Sequence, residues 1–397
     1  MIYSAVEGAS DEPGTRWMIG VVADDLTGAA EVGAMGLRHR LVAQVVVEGG
    51  VSDGAHLVSI DTDSRSCSPE EAGRRAAAGA GVLSQAGAAW MYKKVDSVLR
   101  GPVAAELEAV MKKLQFARTL LVPANPGLGR TIRDGLYFVQ GTPIDETDFR
   151  HDPEFPRLTS NVRNLLGKSC TLPIQLCSKD QPMPAAGLIL GQTESAEDLR
   201  AWASRCDNST LAAGGAEFFG ALLVARGHTD SSPPTIPTAS RSGEKQLFVC
   251  GSASASCEQF VSDMRRAGCP VFSLLPGEGT SSERSRLADE IISSLQLSPR
   301  VVLTIGAERS SPPADARTLL DELASLAASL TRRATVLQLY AEGGATAARL
   351  VRHLGWKRLD VIRELAPGVV TLAAAGSLNC LLTIKPGSYS WPGRLRA

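Results

Sequence analysis

The sequence predicts an α/β protein of two domains, each with a mostly parallel sheet flanked by helices, with a ligand cleft between them. Short apolar runs alternate with amphipathic stretches along most of the chain, which is the pattern of strands and covering helices. The chain has 397 residues, more than one ordinary core holds. A Pro- and Ser-rich segment at 230–244 separates two alternating parts, and we interpret it as the linker.

The elements of the first part follow from local apolar patterns. The predicted strands are 19–23, 42–47, 57–60, 89–93, 119–122 and 188–190. The predicted helices are 26–38, 69–85, 103–114 and 195–204. The segment 123–156 interrupts the alternation because it is rich in Gly, Pro and Asp. Loops of this length in compact domains are often functional, so we expect a functional loop there.

The second part repeats the alternation. Its predicted strands are 247–250, 271–274, 301–305 and 335–340, with helices between them and an Ala- and Leu-rich helix at 314–332. A terminal pair of strands is predicted at 360–363 and 380–384. The predicted organisation is a loose N-terminal extension, a first domain, a linker and a second domain, at 1–17, 18–229, 230–244 and 245–397.

The composition excludes several classes of partner. Net charge is −1, which gives no basis for a nucleic-acid partner or a membrane surface partner. No apolar run is long enough to span a membrane, and the polar N-terminus lacks the apolar core of a signal peptide. Eight cysteines are scattered without a C-x-x-C pair, which argues against a zinc site or a disulfide framework. We therefore expect a cytoplasmic protein with reduced thiols. The sequence is compatible with a homo-oligomer as well as with a monomer.

Three polar clusters follow three predicted strands. Asp24 and Asp25 follow the strand 19–23, the cluster 61–66 follows 57–60, and the cluster 93–101 follows 89–93. In a parallel sheet these strand ends share one edge, where ligands bind. The clusters offer cations for a carboxylate and acidic acceptors for hydroxyls, a mixture that suits a small sugar acid. These side chains are Arg65, Lys93, Lys94 and Arg100, with Asp24, Asp25, Asp63 and Asp96. The alternative is separate surface loops, with Asp25 only capping the helix 26–38.

Glycine turns in the second part suggest phosphate contacts. Ser252 follows one predicted strand, Gly343 to Thr346 follow another, and Gly387 follows the last. Backbone N–H groups at a helix start can bind phosphate, although each turn alone is more often simply a turn. No P-loop motif is present. The segment 127–131 has some character of an anion loop, but it is not a dinucleotide fingerprint.

Taken together, these segments resemble the four-carbon acid sugar kinase family. The motifs are Ala-Asp-Asp-Leu-Thr-Gly-Ala at 23–29, Asp-Ser-Arg at 63–65, Lys-Lys-Val-Asp-Ser-Val-Leu-Arg-Gly at 93–101, the loop 123–131, and 143–147 followed by 151–153. The resemblance implies an N-terminal sugar-acid-binding domain at 18–229 and a C-terminal nucleotide-binding domain at 245–397. It also implies ATP-dependent phosphorylation of the terminal hydroxyl of threonate, erythronate or a 3-oxo form, with Mg²⁺.

The resemblance also implies site residues. The substrate contacts are Asp24, Asp25, Arg65, Lys93, Lys94, Val95, Asp96, Ser97 and Arg100. The nucleotide contacts are Ser252, Gly343, Gly344, Ala345, Thr346 and Gly387. Asp25 is the first candidate for the catalytic carboxylate and Asp96 the second; no metal ligand is assigned.

The second part departs from the family pattern in two places. Ala345 stands where the family usually has Asp, and the chain has Gly387 to Trp391 in place of an ending with Gly-Phe-Gly. An alternative is therefore a sugar-acid-binding paralogue with impaired catalysis. A nicotinamide-dependent oxidoreductase is a weaker alternative, because the dinucleotide fingerprint is missing.

Overall fold

The computed structural model describes residues 17–51, 54–152, 154–167, 171–229, 244–252, 254–275, 281–306, 313–334, 336, 338–387 and 389–395. Its strands are β1 (Ile19–Ala23), β2 (Ala43–Val46), β3 (Leu57–Asp61), β4 (Trp90–Lys94), β5 (Arg118–Val122), β6 (Arg130–Arg133), β7 (Leu136–Val139), β8 (Thr142–Pro143), β9 (Ile174–Cys177), β10 (Gly187–Gly191), β11 (Thr210–Gly214), β12 (Gln246–Cys250), β13 (Val271–Leu274), β14 (Arg300–Ile305), β15 (Gln338–Glu342), β16 (Arg358–Ala366), β17 (Val369–Ala374) and β18 (Leu381–Lys385). Its helices are α1 (Leu26–Arg38), α2 (Pro69–Gln85), α3 (Val103–Leu114), α4 (Val162–Leu166), α5 (Ala196–Ser204), α6 (Ala216–Ala225), α7 (Ala255–Arg266), α8 (Ser281–Leu297), α9 (Pro313–Ala334) and α10 (Gly344–Leu354).

The chain packs as two compact units. The first unit holds residues 17–24, residues 38–42, and the described residues from 51 to 229. The second holds 25–37, 43–50 and the described residues from 244 onwards. Most of α1 and all of β2 thus pack in the second unit, where β2 pairs with β16. The predicted bounds of the two domains stay a prediction. Residues 1–16 of the extension, and the linker except for Glu244, lie outside the described residues.

The first unit contains a parallel sheet with strand order β3-β1-β4-β11-β5-β10-β9. Helices α2 and α3 pack against each other, as do α5 and α6. The predicted helices 26–38, 69–85 and 103–114 are confirmed as α1, α2 and α3. Helix α5 begins one residue late because Ser195 is its N-cap and accepts a hydrogen bond from the Asp198 amide. Strands β9 and β11 and helix α6 were not among the predicted elements.

The segment 123–156, which was predicted to be a functional loop, contains regular secondary structure. Strands β6, β7 and β8 form a small antiparallel sheet there. Asp134 and Gly135 join β6 to β7, both with positive φ, which is the backbone of a tight hairpin turn. The Asp-Gly pair is a typical sequence of a two-residue hairpin turn, and it was the local signal for β6 and β7.

The second unit contains a mixed sheet with strand order β13-β14-β12-β15-β18-β17-β16-β2. The pairs from β13 to β18 are parallel, and those from β18 to β2 are antiparallel. The predicted terminal pair of strands was incomplete: β17, a buried apolar strand, lies between β16 and β18 and pairs with both. The mostly parallel α/β class is confirmed. No helix in the described ranges is long and apolar enough to cross a membrane.

Candidate active site

The polar clusters of the first unit converge, as the sequence predicted. Strands β3, β1 and β4 are parallel neighbours, and their register pairs Ala23 with both Asp61 and Lys94. The segment after β3 also binds the end of β1 directly, because the amides of Ser64 and Arg65 donate to the Asp24 carbonyl at 3.0 and 3.2 Å. The residues that follow the three strands therefore lie at one edge of the sheet.

Asp24 is a buried carboxylate with one oxygen left without a partner. Its side chain is 2% exposed, and Oδ2 accepts a hydrogen bond from Arg65 Nε at 2.6 Å. Oδ1 is buried and has no hydrogen-bond partner in the described part of the chain. Burial raises the pKa of Asp24, but the charges of Arg65, Lys93 and Lys94 together lower it below its ordinary value. Asp24 is thus held as an anion that can accept one more hydrogen bond.

Lys93 and Lys94 end strand β4 and are both buried. Lys93 forms an ion pair with Glu106 of α3, with 3.1 Å between Nζ and Oε2, and donates to the Lys94 carbonyl. Glu106 also accepts a hydrogen bond from Ser64. Burial raises the pKa of Glu106, and Lys93 offsets only part of this rise. Lys94 Nζ donates to the Val95 carbonyl at 3.0 Å. Glu106 was not predicted, and it links β4 to the segment after β3.

The loop after β4 is fixed by apolar and ionic contacts. Val95, Val98 and Leu99 are buried in the apolar core. Asp96 and Arg100 form a two-pronged ion pair at 2.9 and 3.0 Å, and the Arg100 amide also donates to Asp96. Burial raises the pKa of Asp96, but Arg100 and Arg65 hold it well below its ordinary range.

Asp152 and Arg157 contact the loop after β4 from a later part of the chain. Asp152 accepts a hydrogen bond from Arg100 Nη1 at 3.2 Å. Arg157, which is 8% exposed, donates from Nη1 to the Leu99 carbonyl at 3.0 Å and from Nε to the Phe155 carbonyl at 2.8 Å. Neither Asp152 nor Arg157 was a predicted site residue, since both lie more than 50 residues after the loop they contact.

Ser97 is buried under the small antiparallel sheet. Its hydroxyl accepts a hydrogen bond from Arg130 of β6, and its carbonyl accepts one from the Tyr137 hydroxyl of β7 at 2.6 Å. Arg130 lies over the ring of Phe149. The weak anion-loop interpretation of 127–131 gains no support, because the Gly127 amide already donates to the Glu217 carboxylate at 3.2 Å. These contacts give the 123–157 segment a role in fixing the loop after β4.

The glycine turns of the second unit also converge. Strands β12, β15 and β18 are parallel neighbours, so the turns after them share an edge. A Cβ added at Gly387 would lie 3.0 Å from the Ser252 hydroxyl oxygen, and one at Gly343 would lie 3.7 Å from Ser252 Cβ. Gly343 has φ of +93°, which favours glycine, and its amide donates to the Lys385 carbonyl. Ser252, Gly343 and Gly387 therefore line one turn cluster.

Helix α10 begins in this cluster. Its N-cap residue is Gly343, no side chain caps it, and its first turn carries no acidic residue. Ala345 is exposed in that turn, and Thr346 is buried. The N-terminal amides of such a helix can bind an anion, and the positive end of the helix dipole favours one. The turn 343–346 has the features of a phosphate-binding turn.

Asp25 packs in the second unit, beside this turn. Its Oδ1 accepts a hydrogen bond from the Gly28 amide at 2.8 Å, which confirms the predicted cap of α1. The Thr27 hydroxyl donates to Oδ2 at 2.5 Å. A Cβ added at Gly344 would lie 3.0 Å from Asp25 Oδ2. Asp25 is thus a helix cap whose carboxylate also borders the start of α10, whereas Asp24 belongs to the first unit.

A buried ion pair joins the last residues of β15 and β18, directly before two of these turns. Lys385 and Glu342 are fully buried and pair at 2.8 Å, and Trp391 donates to the other Glu342 oxygen at 2.9 Å. Cys250 and Cys257 lie close to Glu342, the sole grouping of potential metal ligands found among the described residues. Because both oxygens of Glu342 already have donors, these three residues are not arranged to receive a metal ion. The unusual chain ending thus buries Trp391 in the core.

Two family models match the chain. The model described as "Sugar-binding N-terminal domain" matches residues 19–255, and the one described as "Nucleotide-binding C-terminal domain" matches residues 247–389. The crystal structure of Haemophilus influenzae protein HI1011 has the same fold, with a TM-score of 0.71 at 20% identity, and the match covers 94% of this chain and 97% of that one.

Curated relatives are sugar-acid kinases. The D-threonate kinase of Cupriavidus necator is 27% identical over 379 residues, 89% of each chain. The D-erythronate kinase of Heliobacterium modesticaldum is 27% identical, over 90% of this chain and 89% of that protein. The D-threonate kinase of Bordetella bronchiseptica is 34% identical over 157 residues, a match that spans only 38% of this chain and 39% of that protein.

Proposed function

This chain belongs to the four-carbon acid sugar kinase family, a family of phosphotransferases, and we propose that it transfers the terminal phosphoryl group of ATP to the terminal hydroxyl of a four-carbon sugar acid. Threonate, erythronate and 3-oxo-tetronate are the candidate acceptors. The observation that carries the proposal is the buried Asp24 carboxylate, which has one unpartnered oxygen and stands among basic side chains.

The strand-end cluster of the first unit suits a small hydroxylated acid. An unpartnered buried carboxylate oxygen is costly, and a ligand hydroxyl that donates to Asp24 Oδ1 removes that cost. Arg65 forms an ion pair with Asp24, and its guanidinium is a charged hydrogen-bond donor of the kind that binds a carboxylate. A sugar acid has hydroxyls that can donate to Asp24 Oδ1 and a carboxylate that can accept hydrogen bonds from basic side chains. In this proposal Lys93, Lys94, Val95, Asp96, Ser97 and Arg100 form the rest of the acid site.

The turn cluster of the second unit suits the phosphates of ATP. Glycine at 344 lets the start of α10 pack against Asp25, since a Cβ there would lie 3.0 Å from Asp25 Oδ2. No side chain caps α10, so its first amides can donate to phosphate oxygens. Ser252, Ala345, Thr346 and Gly387 complete the proposed nucleotide contacts. Mg²⁺, when bound, would neutralise charge on the phosphates, as in other phosphoryl transfers.

Asp25 is the better candidate for the carboxylate that orients or deprotonates the acceptor hydroxyl. It borders the turn that would hold the phosphates, which is where the reacting hydroxyl has to arrive. Asp96 is less suitable because Arg100 occupies both of its oxygens and its low pKa makes it a weak base. In this proposal Asp96 holds Arg100 and the loop after β4 in place, and Asp25 acts on the hydroxyl.

A second candidate function is a sugar-acid-binding paralogue with impaired catalysis. Ala345 favours it, because this exposed position lacks the carboxylate usual in the family. The geometry of the acid site fits both functions equally.

The two functions are separated by measuring ADP release by the purified protein with ATP, Mg²⁺ and a panel of four-carbon acids that includes both threonate and both erythronate enantiomers. A five-carbon sugar acid is the control for chain length, and ³¹P NMR of the product identifies the esterified hydroxyl. Acid-dependent ADP release with a terminal phosphate ester supports the kinase. Acid binding without ADP release supports the paralogue, and the absence of both would refute the acid site.

A further inference from the structure

Arg157 differs from Arg65 and Arg100 in having no carboxylate partner among the described residues. Arg65 pairs with Asp24, and Arg100 pairs with Asp96. Arg157 is equally well buried, yet it donates only to two backbone carbonyls, and within the described ranges no carboxylate lies at ion-pair distance from it. Arg157 is thus a buried cation without a direct counter-ion in the part of the chain that the structure describes.

Such a placement is unfavourable unless something else neutralises the charge. Burying a guanidinium removes it from water, and a direct anion normally compensates this. Burial lowers the pKa of Arg157, and the more distant charges of Asp96 and Asp152 offset this only in part because Arg100 acts against them. A neutral side chain would donate to two carbonyls without that cost. The presence of arginine therefore calls for a further anionic partner.

The position of Arg157 indicates where that partner binds. Its Nη1 donates to Leu99, which lies between Asp96 and Arg100 in the loop of the proposed acid site. The remaining terminal nitrogen, Nη2, makes no hydrogen bond to the described residues and is not among the buried polar atoms that lack a partner. Nη2 therefore reaches accessible space beside the loop, with donors that the protein itself does not use.

We infer that Arg157 binds the carboxylate of the sugar acid and makes the site select acids over neutral polyols. The inference rests on the proposed function and adds to it the residue that recognises the carboxylate of the substrate. An arginine offers a fork of N–H donors that matches a carboxylate. Asp24 then takes a hydroxyl of the same ligand, so the two ends of a hydroxy acid meet groups of opposite charge.

The test compares an acid with its neutral counterpart. Dissociation constants of erythronate or threonate, and of the matching tetritol, which has the same hydroxyls but no carboxylate, are measured for wild type, Arg157→Gln and Arg157→Lys. Gln still donates to a backbone carbonyl but carries no charge. Arg150→Gln is the matched control, since Arg150 lies on the same segment, is exposed, and donates to the Asp145 carbonyl. Thermal unfolding of each variant reports on folding.

We expect Arg157→Gln to weaken acid binding by about 10- to 100-fold, the range of a lost hydrogen bond to a charged group, and to leave tetritol binding unchanged. Arg157→Lys should restore part of the preference, and Arg150→Gln should behave as wild type. A parallel loss for acid and tetritol would mean that Arg157 only fixes the segment, which overturns the inference. An unchanged preference overturns it too, while wild-type phosphorylation of the acids would leave the proposed function standing. If wild type binds no four-carbon acid, the proposed function fails as well.

Discussion

Replacing Asp25 by Asn tests the proposed catalytic carboxylate without removing the helix cap. Asn caps a helix about as well as Asp, so the hydrogen bond from the Gly28 amide at 2.8 Å should survive. What is lost is a negative charge at the start of α1, which costs about 0.3–1 kcal/mol of folding free energy through the helix dipole. We therefore expect only a small fall in the melting temperature.

The effect on turnover should be much larger. General acid–base catalysis contributes about 10²–10⁴-fold. At about 1.36 kcal/mol for each factor of ten, this corresponds to about 2.7–5.4 kcal/mol of activation free energy. Because Asn has the shape of Asp and keeps one acceptor oxygen, binding of the acid should largely persist.

The measurement is steady-state ADP release, with acid binding by isothermal titration calorimetry and stability by thermal unfolding. Asp360→Asn is the matched control, because Asp360 lies in the same unit and also accepts a hydrogen bond from a backbone amide, that of Gly376 at 3.1 Å. Near wild-type turnover of Asp25→Asn would show that Asp25 is only a cap, and the catalytic role would return to Asp24 or Asp96.

Three further predictions concern other parts of the site. Arg65→Ala should weaken acid binding by about 1.5–3 kcal/mol, because a charged hydrogen-bond donor is lost, and unchanged affinity in calorimetry would contradict its role as an anchor. Ala345→Asp should raise Mg²⁺-dependent ATP affinity or turnover over a Mg²⁺ series, whereas a fast wild-type kinase that the substitution leaves unchanged would show that position 345 is irrelevant. Asp96 has a lowered pKa in the folded state, so its contribution to the free energy of unfolding should be complete above its unfolded pKa of about 4 and be lost as the pH falls through its lower folded value. Urea unfolding between neutral and acidic pH should therefore show a shallower acid-induced loss for Asp96→Asn, and parallel curves would refute this.

Local sequence determined most helices, though not α4 and α6, and most strands, because their signals act over a few residues. Helices α1, α2 and α3 were predicted with their observed bounds, and β1 and β13 likewise. The convergence of three polar clusters also followed from sequence, because strands that alternate with helices form parallel sheets whose carboxyl ends share an edge. Thus Asp24, Arg65 and Lys93 could be grouped without coordinates.

A weak local signal explains why β11 was missed. Strand β11 is Thr-Leu-Ala-Ala-Gly, whose Ala and Gly have low strand propensity, and it forms between its neighbours β4 and β5. Tertiary context there overrides local preference. Strand β17 is different, because Val-Val-Thr-Leu-Ala-Ala is a strong strand sequence, and what the structure added is its pairing with both β16 and β18.

Only the tertiary structure decided which distant side chains complete the site and which charges stay unpaired. Glu106 contacts Ser64 across 42 residues of sequence, Asp152 contacts Arg100 across 52, and Arg157 contacts Leu99 across 58, separations over which no spacing rule applies. The sequence likewise did not show that Asp24 packs in the first unit and its neighbour Asp25 in the second. Residue types and periodicity fix what each segment can form, but the burial and pairing of a charge depend on contacts between segments that only folding brings together.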